Sequence, residues 1–254
     1  MPRFFIRKDQ IEGDIVTLTG DDAHHLSRAL RMAAGEHITV CDMQKYEYEC
    51  ELTEFLPDCV RARIVSRSHS DTEPPYSVHV FQALPKGDKL DSIIQKAVEC
   101  GAAEITTFES ERCVVKLRDG GEAKKLERRQ RIALEAAKQS GRGLVPTVHP
   151  TVSFAKMLES AAKADLAIFC YEGEGEETLA SRITAWKASH PDASEPSISI
   201  VIGSEGGFSL KEAEQARAAG LLSTGLGKRI LRTETASGFV LSCLVYAFEL
   251  TDIG

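Results

Sequence analysis

The sequence predicts an α/β protein preceded by a smaller, mainly β module. Three observations lead there. From residue 76 onward, apolar strands alternate with amphipathic helices, the pattern of a parallel sheet covered on both faces. Before residue 68, short alternating or β-branched runs are separated by turn residues instead. Between them lies the polar stretch Ser68–Pro75, whose two adjacent prolines favour extended backbone and remove two amide donors. The domains are therefore placed at 1–72 and 73–254.

In the first domain, strands are expected at Arg3–Ile6, Asp14–Thr19, His37–Cys41, Tyr46–Phe55 and Val60–Ser66. A helix over Asp21–Met32 interrupts them. It has acids in its first turn and Ala23, Leu26, Ala29 and Leu30 at helical spacing. Five short strands and one helix suggest a small β-barrel. In the second domain the expected strands are Tyr76–Leu84, Glu104–Phe108, Leu166–Tyr171, Ile198–Ile202 and Leu222–Leu226. The expected helices are Lys89–Cys100, Glu122–Ser140, Phe154–Ala162, Glu177–Ala188, Leu210–Ala219 and Thr233–Leu250.

With 43% apolar and 27% charged residues in 254, the composition is that of a globular protein rather than a disordered or disulfide-stapled one. No run approaches the ~18 apolar residues of a membrane helix, and the opening is too soon charged for a signal peptide. A cytoplasmic location and no membrane partner are expected. The seven cysteines are scattered without a Cys-x-x-Cys pair, so they read as small buried hydrophobes. His24 and His25 are adjacent and face different ways on a helix, and no metal is expected. A net charge of −7 argues against indiscriminate nucleic-acid binding, yet residues 86–142 carry 13 basic against 10 acidic side chains. That local excess leaves room for a basic face.

Two loops carry the chemistry. A β-branched strand ends at Ile202-Gly203, passes through Ser204-Glu205-Gly206-Gly207 and enters a helix capped by Ser209. In an open parallel sheet, ligands sit at the carboxyl ends of strands, and glycines let a ligand approach backbone amides. The same residues also suit a plain strand-to-helix turn. Neither Gly-x-Gly-x-x-Gly nor a Walker lysine is present, which disfavours dinucleotide and phosphate-loop sites. The second loop is Gly225-Leu226-Gly227, then Lys228, Arg229 and Arg232, then Thr233-Glu234-Thr235, with Thr233 as a possible helix cap. Its cations suit an anion or nucleic-acid site, or simply a solvated basic turn.

Gly203-x-Glu-Gly-Gly207, followed by Leu226-Gly-x-Arg-Ile-Leu-Arg-Thr-Glu-Thr235, resembles the 16S ribosomal RNA uracil-N3 methyltransferase family (small subunit methyltransferase E) of the SPOUT superfamily. Further segments fall in the family's order: Pro2–Phe5, His25–Met32, Leu84–Lys89, Gln95-Lys96, Glu99–Gly101, Ser110–Arg112 and Glu135–Arg142. Ser204 departs from the pattern, standing where proline is expected, which should loosen the loop.

The resemblance implies a carboxyl-terminal domain tied in a deep trefoil knot, an amino-terminal PUA-like RNA-binding module, and a homodimer. It implies S-adenosylmethionine as cofactor, held by Ile202, Gly203, Glu205, Gly206, Gly207, Leu226, Gly227, Lys228, Ile230 and Leu231. The substrate implied is a specific uridine of 16S rRNA, free or in the small subunit, position 1498 in the family's usual numbering. Methylation at N3 requires the ring proton to leave, so a base and a stabiliser of negative charge on the ring are needed. Glu234 is the candidate base and Arg232 the candidate stabiliser, with Arg229 beside them. Glu234 could instead only pair with Arg229 or Arg232 to shape the loop. Arg3, Arg28, Arg31, Lys86, Lys89, Arg112 and Arg142 lie in the matched segments and are candidate phosphate contacts, or ordinary surface cations. A SPOUT enzyme with another RNA target and a non-catalytic RNA-binding protein are the alternative readings.

Overall fold

In the computed structural model, described for residues 1–44, 46–116, 121–173 and 176–251, the chain divides into two compact units. One comprises Met1–Glu73 with Ala137–Val145, the other Pro74–Ala136 with Pro146–Gly254.

The first unit is built from β1 (Arg3–Phe5), β2 (Ile11–Glu12), β3 (Ile15–Thr19), α1 (Gly20–His24), β4 (His37–Cys41), β5 (Tyr46–Phe55) and β6 (Cys59–His69). The strands form one sheet in the order β1-β4-β5-β6-β3-β2, antiparallel except for the β1–β4 pair. Alternation along the strands sends Phe4, Leu18, Ile38, Val40 and Leu52 into a core with Leu26 of the helical segment. The expected long helix is cut short. After α1 the backbone widens into a π-type turn over His25–Ala29, with the Leu30 amide donating to the His25 carbonyl. Ser27 donates its hydroxyl to the Ala23 carbonyl at 2.8 Å, competing with the backbone ladder, and Arg31 takes a left-handed φ of 53° that ends the segment.

The second unit contains β7 (Ser77–Ala83), α2 (Lys89–Glu99), β8 (Glu104–Glu109), α3 (Glu122–Ser140, its end in the first unit), β9 (Thr147–Ser153), α4 (Phe154–Ala161), β10 (Leu166–Cys170), β11 (Glu177–Thr178), α5 (Leu179–Ser189), β12 (Ser197–Ile202), α6 (Leu210–Ala218), β13 (Leu222–Gly225) and α7 (Thr233–Val245). Its seven strands run β11-β13-β10-β12-β7-β8-β9, every pair parallel. The predicted α/β class with a parallel sheet is therefore realised. Phe81, Phe108, Phe169, Val201 and Phe208 pack with Met157 and Ala213 in a core of this unit. No helix among the described residues is long and apolar enough to cross a membrane.

Strand β9 is not among the strands expected from the sequence, and it carries Pro150, which offers no amide to a ladder. It lies at the sheet edge, and its pairing with β8 slips by one residue between Thr106 and Phe108, opposite Pro150. Edge strands and bulges are the positions where proline is tolerated. The last helix also ends early: after Val245 a π-type turn covers Tyr246–Leu250. All seven cysteines are free, with Cys41, Cys50 and Cys113 buried.

Candidate active site

Both loops singled out in the sequence meet at the carboxyl ends of β10, β12 and β13. They frame a cavity of about 410 Å³, within the usual range for a small-molecule site. Ile202, Gly203, Glu205, Gly206, Gly207, Leu226, Ile230 and Leu231 all line it. Lys228 does not, and its side chain lies out in solvent. Gly227 lines a different cavity, beside α5 and α7.

The first loop turns tightly, with the Gly207 amide donating to the Ser204 carbonyl at 2.9 Å and Gly207 at a left-handed φ of 64°. Ser204 is buried, and its hydroxyl reaches the Arg112 carbonyl in a long hydrogen bond of 3.5 Å. Arg112 returns the contact, donating from Nη1 to the Gly206 carbonyl at 3.0 Å. The Ser110–Arg112 segment is itself fixed to the start of α6. Ser209 caps that helix with Glu212 in a reciprocal capping box, and Glu212 also accepts from the Glu111 amide at 2.8 Å. Thus Arg112, expected at a phosphate, braces the loop.

The second loop is joined to the first through Gln82, at the end of β7. Its buried amide donates to the Gly203 carbonyl at 3.3 Å and to Thr233 Oγ1 at 2.9 Å. Thr233 in turn donates to the Gly203 carbonyl at 2.6 Å. The expected cap by Thr233 is thereby corrected. Arg232 occupies the N-cap of α7 without a side-chain cap, because the threonine hydroxyl is committed to the other loop. One carbonyl accepts both donors, which ties the strand end to the helix start.

Glu205 is anchored from the Leu84–Lys89 segment. Its carboxylate accepts from the Lys86 amide at 3.1 Å and from Lys89 Nζ at 2.8 Å. Burial opposes its ionisation, but the bonds from Lys89 and the backbone outweigh burial and hold its pKa below the usual glutamate value. The same contact, chiefly the bond to Glu205, raises the pKa of Lys89. A folded pKa below the unfolded one makes the anchorage fully present above the ordinary glutamate pKa and lost on acidification through the depressed one. Carboxyl NMR titration should find Glu205 ionising below the ordinary range, and a Lys89→Met chain should lose that depression. Equal titration in both chains would contradict the anchorage.

Glu234 sits in the first turn of α7, largely shielded. Its Oε2 faces Lys89 Nζ at 3.5 Å and, among the described residues, accepts no hydrogen bond. The described ion pairs place Lys89 at Glu234, rather than Arg229 or Arg232, whose side chains are exposed. Of the remaining cations, Arg28 and Arg31 are exposed in the first unit. Arg3 is paired with Glu47 at 2.9 Å, and Arg142 is buried and paired with Glu73. Those pairings favour structural roles over the phosphate contacts expected of both.

Sequence reasoning missed Gln82, and also Cys170, Tyr171 and Glu172, which line the cavity from the end of β10. The rule that ligands sit at carboxyl strand ends pointed to β10 as well as to β12. Gln82 had no local signal, since its partners lie 121 and 151 residues away.

Comparison with known proteins agrees with this geometry. Residues 72–245 match the model of the RNA methyltransferase domain, and residues 18–54 match that of the RNA methyltransferase PUA domain. The ribosomal RNA small subunit methyltransferase E of Bacillus subtilis is 39% identical over 98% of each chain. The enzyme of that name from Neisseria gonorrhoeae, solved bound to S-adenosyl methionine, superposes with a TM-score of 0.80 at 32% identity over 97% of each chain. A putative methyltransferase of Legionella pneumophila, also solved with its bound cofactor, gives a TM-score of 0.81 at 30% identity, covering 96% of this chain and 97% of that one. With its amino-terminal PUA-like domain and parallel-sheet methyltransferase domain, this chain belongs to the ribosomal RNA small subunit methyltransferase E family.

Proposed function

We propose that this chain uses S-adenosylmethionine to methylate N3 of a specific uridine in 16S ribosomal RNA. The observation that carries the reading is the convergence of both loops on one cavity. Glu234 does not line it but is linked through Lys89 to Glu205, which does, and its Oε2 accepts no hydrogen bond among the described residues. The cavity suits the cofactor. Ile202, Leu226, Ile230 and Leu231 offer apolar surface for an adenine ring. At Gly203 an added Cβ would lie 3.2 Å from Phe208 and 3.3 Å from the Gly207 Cα, so a side chain there would push the loop open by a few tenths of an ångström. Gly206 and Gly207 leave room for the methionine part. Bound there, the cofactor supplies an electrophilic sulfonium methyl group.

The protein's own task is the proton. N3 of uracil carries a hydrogen and its lone pair is delocalised, so the nitrogen becomes a competent nucleophile as the hydrogen leaves. Glu234 Oε2 takes it, with Lys89 Nζ 3.5 Å away to hold the carboxylate in position. Arg232, at the N-cap of α7, stabilises negative charge developing on the ring oxygens, with Arg229 adjacent in the loop. Arg28, Arg31 and Lys86 are the cations of the matched segments best placed by exposure to meet phosphates. Residues 1–72 act as the RNA-binding module and 73–254 as the catalytic domain, for which the family resemblance implies a trefoil knot. A ribosomal RNA substrate supports a cytoplasmic location.

The active form is a homodimer. An apolar cavity of about 620 Å³ lies along α5, α7 and the turn after it, and Phe239, Tyr246 and Leu250 expose 36%, 65% and 53% of their surface. Leu226 lines both this cavity and the cofactor cavity, so a partner seated there would abut the active site. Light scattering should give twice the chain mass for the wild type and one chain for Phe239→Asp; a monomeric wild type contradicts the dimer. The function is tested by offering labelled cofactor with 16S rRNA, free or in assembled small subunits, and with transfer RNA. Label confined to 16S rRNA supports the reading. Label on transfer RNA, or none despite cofactor binding, contradicts it.

A further inference from the structure

Away from the cofactor cavity, three strands bring together a set of side chains that the proposed reaction does not use. His79 on β7 is in register with Glu104 on β8, and Thr106 on β8 is in register with His149 on β9. In a parallel sheet, residues in register share a face. One donor atom from each of His79, Glu104 and His149 lies within 4.8 Å of the other two. His149 Nε2 is 2.6 Å from Glu104 Oε2, and His79 Nδ1 is 3.9 Å from the same oxygen. We propose that His79, Glu104 and His149 form a binding site for a divalent ion of the zinc class, clamping the edge strand β9 to the centre of the sheet.

The donor set is that of three-ligand zinc sites, two imidazoles and one carboxylate, with a fourth position left to water. Tetrahedral zinc with bonds of about 2.0–2.2 Å sets its ligand atoms roughly 3.4 Å apart. The separations from Glu104 Oε2, 2.6 and 3.9 Å, bracket that value, and the two imidazole donors lie within 4.8 Å of each other, so the three atoms are brought onto one ion by side-chain rotation. Orientation is already imposed. His79 Nε2 and the Thr106 hydroxyl are hydrogen-bonded at 2.7 Å, which leaves Nδ1 turned toward Glu104. The His79 ring is also stacked on Phe81, with centroids 3.9 Å apart and planes at 24°. On the third strand, the slip at Pro150 immediately follows His149, and bulges are places where a side chain is re-aimed. Access is open, since Glu104 and His149 keep 45% and 36% of their side-chain surface. An edge strand interrupted by a bulge gains most from such a clamp. The sequence-based expectation of no metal rested on local motifs, and these donors come from three separate strands.

The experiment uses the full-length chain, stripped with a chelator and then titrated with Zn²⁺ against a chromophoric competitor and with Co²⁺ followed by visible absorption. The expected result is one equivalent of tightly bound metal, Co²⁺ bands without thiolate charge transfer, and a raised unfolding temperature. His149→Gln and Glu104→Gln should each weaken binding at least tenfold, and Thr106→Val about 10–100-fold through loss of the ring's orientation. S-adenosylmethionine affinity, measured on the same samples, should stay at the wild-type value and certifies that the variants are folded. The proposal is overturned if the wild type fails to compete for zinc, if the histidine and glutamate variants bind as tightly as the wild type, or if thiolate bands show that cysteines hold the ion.

Discussion

Glu234→Gln is expected to slow methyl transfer by about 10²–10⁴-fold, the usual span of a positioned general base, while leaving S-adenosylmethionine affinity unchanged. Glutamine keeps the shape of glutamate but cannot accept the N3 proton. The geometry makes the substitution clean. Oε2 of Glu234 accepts no hydrogen bond among the described residues, so the amide displaces no donor there, and the one ion pair it breaks is the 3.5 Å approach of Lys89. Lys89 retains its 2.8 Å bond to Glu205, so the first loop keeps its anchor. Single-turnover kinetics with cofactor saturating separates chemistry from binding. Undiminished turnover at normal cofactor affinity would remove Glu234 from the role of base and leave it a shaping residue.

Gly206→Val acts on the other half of the site and should abolish cofactor binding. A Cβ at Gly206 would lie 3.0 Å from the Arg112 Cβ and 3.3 Å from the Arg112 carbonyl oxygen. Neither atom is the free end of a flexible side chain, and the two methyl groups of valine extend the clash. Arg112 cannot retreat easily, because its guanidinium holds the Gly206 carbonyl and its neighbour Glu111 is tied by its amide to Glu212. The loop must move instead, and with it the Ser204–Gly207 turn that lines the cavity. A loss of at least about a hundredfold in affinity, ~2.7 kcal/mol, is expected by calorimetry. Unchanged affinity would mean that the cofactor does not depend on this loop. Folding should be preserved, since Gly206 is exposed and outside the core.

Periodicity and punctuation made much of this architecture legible. The bounds of α3 and β5 could be read residue for residue, because a long amphipathic pattern and a strict alternation leave little freedom. Strand β9 was hidden by Pro150, whose cost vanishes only at an edge, and edge position is a property of the assembled sheet. At the early end of α1 the backbone widens into a π-type turn, the Ser27 hydroxyl takes the Ala23 carbonyl and Arg31 turns left-handed, none of which the apolar spacing shows. At the site, glycines and cations alone supported a ligand at the strand ends, and family resemblance supplied the identity of that ligand. What no local pattern could supply were partnerships across the fold. Thr233 looks like a helix cap until its hydroxyl is seen on Gly203, and Lys89 looks like a phosphate contact until it is seen on Glu205 and Glu234. The cluster of His79, Glu104 and His149 belongs to the same class, since strand order alone brings its members together.

The reaction is defined by the atom that receives the methyl group. Nucleoside mass spectrometry of 16S rRNA after reaction with isotopically labelled S-adenosylmethionine identifies that atom directly. The predicted result is labelled 3-methyluridine at a single position, lost with Glu234→Gln. Label on a ribose oxygen, on another base, or spread over many positions would contradict it.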